Sequence, residues 1–195
     1  MTPNAPKRAE AREQQSVAAV SPDQGPGVSA ERFKAVFRGH PGGVAVVTAD
    51  AGAGPVALTA TSVASVSAEP PLLIFSASAL SSSTPTFLEA DTVVVHLLDA
   101  HDLAIAKLGA TSGIDRFADT TTWSRLTTGE PVFNDVRAWI RGAVVNRMEA
   151  GGSTVIAVHA LQAFIARDPE PGAAQDALVY HNRGWHRLSD ETHIR

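Results

Sequence analysis

The 195-residue chain contains no cysteine. This excludes disulfides, thiolate metal sites, cysteine nucleophiles and cysteinyl links to a cofactor. No stretch approaches the ~18 consecutive apolar residues that a membrane helix needs, and the N-terminus lacks the apolar centre of a signal peptide. The sequence therefore predicts a cytoplasmic protein that engages no membrane. Clustered positive charge is also missing: with 16 Lys and Arg against 20 Asp and Glu the formal net charge is −4. A nucleic-acid partner is not expected, because phosphate binding needs a basic surface. Neither a Gly-x-Gly-x-x-Gly helix entry nor a Walker phosphate loop occurs, and regular βαβ alternation is absent, which disfavours a doubly wound parallel sheet.

Large apolar residues are missing from one end as well. Residues 1–28 contain no Leu, Ile, Phe, Trp or Tyr. Such a segment has too little apolar surface to offset its ordering entropy, so a disordered tail is expected there. The whole chain is 44% hydrophobic, and the remainder is long enough for one domain with a sizeable core. The domain is expected over 29–188, with 189–195 as a loose C-terminal tail.

Within that domain, Ser29 is placed to cap a helix carrying Phe33, Val36 and Phe37 at i, i+3, i+4 spacing. Pro41-Gly42-Gly43 ends it. Apolar runs predict strands at 44–49, 56–58, 72–77, 92–98, 139–149 and 154–164, and Leu178-Val179-Tyr180 with Trp185–Leu188 predicts a closing hairpin. Between the second and third strands lies Thr59-Ala60-Thr61-Ser62-Val63-Ala64-Ser65-Val66-Ser67, read as a hydroxyl-rich loop. Small hydroxyl side chains offer donors and acceptors without bulk, which suits a flat polar ligand laid against a sheet. Ser76, Ser78 and Ser81–Thr84 repeat that chemistry, and Thr84-Pro85 is a good helix start with free N–H groups for an anion. His96, alone in an apolar strand, reads as a hydrogen-bonded core residue. Asp115-Arg116-Phe117 reads either as a surface salt bridge with an anchored Phe or as a ligand wall. His181 and His186 flank the last hairpin without a third ligand at metal-binding spacing, so no metal site is expected. The sum, six to eight strands with two or three short helices, predicts a mostly β, antiparallel barrel with helical insertions.

Eight short pieces then occur in one order: Pro41–Thr48, Leu58–Ser62, Ser65-Val66-Ser67 with Pro70-Pro71, the serine run closing in Ser83-Thr84, Val94–Leu98, Asp115-Arg116-Phe117, Gly129-Glu130-Pro131 and Leu178-Val179-Tyr180. In that order they resemble the short flavin reductases, the flavin reductase-like domain with an FMN-binding split-barrel fold. The resemblance runs from about Phe33 to Leu188. It implies a homodimer that binds FMN or FAD, is reduced by NADH or NADPH, and in many cases supplies reduced flavin to a partner monooxygenase. It further implies that Thr59, Ala60, Thr61, Ser62 and Val63 contact the flavin ring and ribityl chain. Ser76, Ser78, Ser83 and Thr84 would hold the phosphate end, Phe117 would lie near the ring, and Tyr180 would complete the pocket. No catalytic side chain is expected, since hydride transfer asks the protein for orientation. Two positions depart from the pattern. Thr154 stands where the family usually has a His associated with the nicotinamide nucleotide, and His96 stands where Asn is frequent. The first departure opens two alternatives: a flavin-binding split barrel without efficient NAD(P)H oxidation, and an interaction protein with a vestigial pocket.

Overall fold

The computed structural model describes residues 27–167 and 176–194; the predicted disordered tail lies almost wholly outside them. Helix α1 (Ala30–Arg38) opens the described chain, and the Ser29 hydroxyl accepts from the Arg32 N–H at its start. Strand β1 (Gly42–Gly43) is short. Strands β2 (Ala45–Asp50) and β3 (Pro55–Ala60) form a hairpin whose turn is held by Asp50 Oδ1, which accepts from the N–H groups of Gly52 and Gly54. Both glycines have positive φ, +100° and +111°, which a side chain would oppose.

Next come β4 (Ala64–Ala68), β5 (Pro71–Ser78), α2 (Thr84–Glu89) and β6 (Thr92–Leu97). A 3-10 turn (Ala100–Asp102) leads into α3 (Leu103–Ala110); Asp99 caps it, with Asp102 bonding back to the Asp99 N–H. A small hairpin of β7 (Trp123–Arg125) and β8 (Pro131–Phe133) precedes two 13-residue strands, β9 (Ala138–Ala150) and β10 (Ser153–Ile165). Strands β11 (Leu178–His181) and β12 (Gly184–Arg187) close the fold.

All ladders are antiparallel, and the main sheet runs in the order β3-β2-β6-β9-β10-β5-β4. Its first and last strands are neighbours in sequence, so the sheet curls round on itself. The two sides meet through side chains: Ser62 Oγ accepts from the Ser76 N–H (3.0 Å), and Ser83 Oγ donates to the Ala57 carbonyl (2.8 Å). This is a split barrel, closed in part by hydroxyls where a ladder is missing.

Strand alternation sends β2 into two cores at once. Ala45, Val47 and Ala49 join Phe75, Phe87, Val93, Val95, Ile156 and Val158 inside the barrel. Val44 and Val46 face Ala57, Ala106, Phe117, Phe133 and Leu178 beneath α3 and the small hairpin. Fully buried His96 ties β6 to β2 and β8: Nδ1 lies 2.9 Å from the Val46 carbonyl, and Nε2 accepts the Phe133 N–H at 3.0 Å. That pairing requires the neutral ring with its proton on Nδ1. Burial lowers its pKa from 6.5 to about 4, the bond to Val46 offsetting only part of the effect. Its role as a core residue follows.

The structure changes three details. Residues 59–67 are not one loop: Thr59 and Ala60 belong to β3, and Ala64–Ala68 form edge strand β4, irregular between Ser65 and Ser67. Backbone pairing to β5 makes that strand; its serines carry no apolar signal. The strand count rises to twelve among the described residues because β1, β4, β7 and β8 are short or polar. At the C-terminus, expected to be loose, Asp190–Thr192 form a 3-10 turn in which Thr192 Oγ1 donates to the Ser189 carbonyl.

Candidate functional site

The hydroxyl-rich segment divides according to what its side chains touch. Thr59 Oγ1 donates to the Ala106 carbonyl of α3 at 2.7 Å, and Ala60 is buried opposite Ala45, so both serve packing. Gly109 makes that packing possible: a Cβ there would stand 2.4 Å from Thr59 Oγ1. Thr61 and Ser62 are exposed beyond the end of β3, and Val63 turns back onto the barrel core. Gly42 lies directly beneath Thr61, where an added Cβ would come within 2.8 Å of the Thr61 Cβ.

The predicted phosphate group divides as well. Ser76 belongs with Ser62, through the backbone bond already described. Ser78 Oγ accepts from the Leu80 N–H, while the Ser78 carbonyl accepts from Thr84 Oγ1 at 2.6 Å. Ser83 and Thr84 are buried, and each donates its hydroxyl proton to a main-chain carbonyl. A hydroxyl has one proton to donate. Freeing the Ser83 proton would take this bond from the Ala57 carbonyl, and freeing that of Thr84 would leave the Ser78 carbonyl with the Ser81 N–H alone, so both hydroxyls are engaged in shaping the turn. Exposed Ser82 beside them retains its donor. A small cleft of about 150 Å³ opens here, lined by Ala57, Ser82, Ser83, Asp115, Arg116 and Phe117. Arg116 Nη2 donates to the Thr111 carbonyl, and its Nε is buried without a partner. Phe117 is a core plug, stacked 5.3 Å from Phe133 and edge-on to Trp123; it belongs to this cleft and not to the Thr61 end.

Thr154 is half-buried on β10, paired across to Ala77 of β5 and Glu149 of β9. Its neighbour Ser153 faces Ser78, so the position borders the serine-rich end of β5. Tyr180 lies on β11 opposite Gly42 and packs 4.8 Å from Trp185.

Tyr180, Gly42, Thr61 and Ser62 share the larger cleft, of about 550 Å³. Its remaining walls were not picked out as site residues in the sequence: Lys34, Phe37, Arg38 and His40 on one side, Asn182 and Arg183 on the other. Lys34, Phe37 and Arg38 stand at i, i+3, i+4 on α1 and so share a helix face. The only signal for them was that spacing, which usually marks a solvated helix face; Arg183 lies far away in sequence.

Shifted titrations fall elsewhere. Burial raises the pKa of Glu130, but hydrogen bonds from Thr128, Thr92 and Arg141 outweigh it and hold the carboxyl below its usual value. Asp99 behaves alike, burial being overcome by Arg167 and the His101 N–H. These are ion pairs that brace β9 and the start of α3. Hydroxyls, main chain, aromatic faces and cations line the clefts, a set whose chemistry suits a flat polyanionic cofactor such as a flavin nucleotide.

The family described as "Flavin reductase like domain" matches residues 37–189. An NADH:FMN oxidoreductase of Rhodococcus qingshengii is 39% identical over 169 residues, 87% of each chain. Among solved structures, a flavin reductase domain protein from Arthrobacter sp. FB24 superposes with a TM-score of 0.74 at 29% identity, over 81% of this chain and 94% of that one. BorF, the flavin reductase component of a bacterial two-component tryptophan halogenase, gives 0.71 at 29% identity over 83% and 99%. With a split barrel, its hydroxyl-lined cleft and a family match across most of its length, the chain belongs to the flavin reductase-like domain family.

Proposed function

We propose that this chain transfers hydride from NADH or NADPH to FMN or FAD, acting as the reductase component of a two-component monooxygenase. The observation that carries this reading is the exposed Thr61-Ser62 segment, seated on Gly42, tied to Ser76 and open to the larger cleft. A flavin ring fits against Thr61 and Ser62, and its phosphate points toward Ser78, Ser82 and Arg116. From Ala57 to Thr61, β3 spans ~13 Å at 3.3 Å per residue, enough for a ring and ribityl chain. When bound, the flavin supplies the hydride acceptor; the chain supplies orientation and shields one face.

The relatives support the reaction class by their names, an NADH:FMN oxidoreductase and a halogenase's flavin reductase component. A homodimer is part of the proposal. Every residue of α1 is exposed, with Phe33 and Val36 at 53% and 71%, and Val145, Met148, Leu161, Phe164 and Ile165 are exposed on β9 and β10. Apolar surface on this scale marks an interface, and a second copy is the partner that covers it. No helix among the described residues is long and apolar enough to cross a membrane, and a cytoplasmic location is proposed with the rest.

Thr154 favours one second reading, a flavin-binding protein without efficient NAD(P)H oxidation. NADH and NADPH consumption with FMN or FAD added in turn separates the two. Oxidation that depends on flavin, at ~1 per second or more, is the expected outcome. Flavin binding without turnover selects the second reading, and no flavin binding overturns both.

A further inference from the structure

One turn on the wall of the larger cleft is built against its residues' preferences. Strands β11 and β12 are joined by two residues, Asn182 and Arg183, between the paired His181 and Gly184. Both have positive φ, +46° and +63°. A two-residue hairpin turn of this hand favours Asn followed by Gly, because an L side chain opposes the left-handed conformation. Asn182 meets that preference, whereas Arg183 stands in the glycine's place. Gly184, one residue later, does not relieve it.

Strain of this kind persists where surrounding structure holds it, and it clusters at ligand sites. The Asn182 N–H donates to the Arg38 carbonyl at 3.1 Å, and Tyr180 packs 4.8 Å from Trp185 behind the turn, so the backbone under Arg183 is fixed. Its side chain does none of that fixing. Among the described residues the Arg183 guanidinium has no hydrogen bond or ion pair, and it lines the cleft together with Thr61 and Ser62. No Asp or Glu is among the lining residues. Lys34 and Arg38 on the facing wall are carried by α1, which the proposed subunit interface occupies; Arg183 is the cation outside that helix.

A cation here answers a charge that the oxidised ring does not have. With the flavin along β3, the phosphate lies at the far end, by Ser82 and Arg116, and the ring beside Thr61-Ser62 is neutral. Hydride transfer changes that. The C4–H bond of the dihydronicotinamide breaks, an N–H bond forms at flavin N5, and two electrons move with one proton. The nicotinamide is oxidised to its cation, and the reduced ring keeps one negative charge on its pyrimidine edge. A preorganised cation aimed at developing charge stabilises it without reorganisation during the reaction. The ring's other edge is a dimethylbenzene. Val63, next along the chain, lines a separate apolar cleft of about 270 Å³ with Leu72, Leu73, Leu97 and Ile140, which suits that edge and leaves the pyrimidine for the polar cleft.

We propose that Arg183 is the charge partner of the reduced flavin ring, its guanidinium balancing the negative charge that arrives with the hydride. The cleft therefore binds reduced flavin more tightly than oxidised flavin, and the strained turn is kept because glycine supplies no charge. The proposal rests on the flavin orientation given above.

The test compares the Kd for oxidised FMN, by fluorescence quenching, with the Kd for dithionite-reduced FMN, titrated anaerobically above neutral pH into the full-length protein. Arg183→Gly removes the side chain and suits the positive φ; Arg183→Lys keeps the charge. In Arg183→Gly the affinity for reduced FMN should fall about tenfold, and that for oxidised FMN by less than about twofold. The midpoint potential of bound FMN should drop by ~30 mV, the two-electron equivalent of that change. Arg183→Lys should recover most of both. The thermal midpoint of Arg183→Gly should equal or exceed that of wild type, which separates loss of charge from loss of fold. Equal weakening of both redox forms, which makes Arg183 a general flavin contact, overturns the proposal. So does an unchanged ratio of the two affinities, including one accompanied by a raised KM for NADH, which gives the guanidinium to the dinucleotide. A wild-type protein that binds FMN in neither form overturns the flavin reading and this proposal with it.

Discussion

The two ends of β3 use the same residue types in opposite ways. At its start, Ser83 and Thr84 are buried, and their hydroxyls bond to main-chain carbonyls. Past its end, Thr61 and Ser62 are exposed above Gly42, with cations on two sides. One set of hydroxyls closes a barrel; the other lines an open cleft. Residue type alone does not separate these roles. The difference lies in where the only donated proton goes, which is a property of the fold.

Acid breaks the comparison most completely, because it acts on both ends at once. His96 joins β6 to β2 and β8 between them. Its folded-state pKa is lowered from 6.5 to about 4, so the unfolded chain binds the extra proton between those values. The stability is present above the unfolded pKa and is lost as pH falls toward the folded one. The total is on the order of 3 kcal/mol. Denaturant midpoints measured from pH 7 to pH 4 should fall in that window, and the fall should shrink in His96→Gln; a slope unchanged in the variant removes His96 as the cause.

Changing Ser83 and Thr84 sharpens the contrast at the barrel end. Ser83→Ala takes the hydroxyl donor from the Ala57 carbonyl, at a cost of roughly 1–3 kcal/mol, whereas the Ser78 carbonyl keeps the Ser81 N–H in Thr84→Ala and the cost is roughly 0.5–1.5 kcal/mol. Thermal unfolding should show this loss for each. Riboflavin, which has no phosphate, should bind the variants as it binds wild type; a loss of riboflavin affinity without a loss of stability would make these hydroxyls ligand contacts.

Gly42→Ala probes the ligand end. Its Cβ would come 2.8 Å from the Thr61 Cβ and 3.1 Å from the Thr61 carbonyl, so Thr61 must shift. About tenfold weaker FMN binding is expected, close to 1.4 kcal/mol. Unaltered FMN affinity would mean that Thr61 does not touch the ring.

Thr154→His should have the smallest effect. The position borders Ser153 and Ser78, and is not among the residues lining the cationic cleft. An imidazole there adds at most a hydrogen bond of ~1 kcal/mol, a several-fold change in NADH turnover. A hundredfold gain would give the family's His a part that no residue of this chain fills.

Much of the barrel was legible in the sequence because its buried strands are apolar runs. Val93-Val94-Val95 and Val155–Val158 announce β6 and β10, and the Asp50–Pro55 turn announces the β2–β3 hairpin. Strand β4 was not legible, since Ser65 and Ser67 alternate with Ala64, Val66 and Ala68 and an edge strand needs only backbone pairing. Thr61, Ser62 and Tyr180 were picked out in the sequence, and the structure places them on one cleft. Lys34, Arg38 and Arg183 were not, because only the β1–β11 pairing and the Asn182–Arg38 bond bring residues 34 and 183 to one place.

The central claim is that the flavin lies along β3, its ring at Thr61-Ser62 and its phosphate toward Ser82 and Arg116. The most direct measurement is the ratio of riboflavin to FMN dissociation constants, by fluorescence quenching, in wild type, Arg116→Gln and Ser62→Ala. A phosphate held by a cation gives wild type a ratio of about ten or more. That ratio should collapse toward one in Arg116→Gln and persist in Ser62→Ala, where both ligands weaken together. A ratio that survives the loss of Arg116, or collapses with the loss of Ser62, would reverse or displace the flavin and contradict the account.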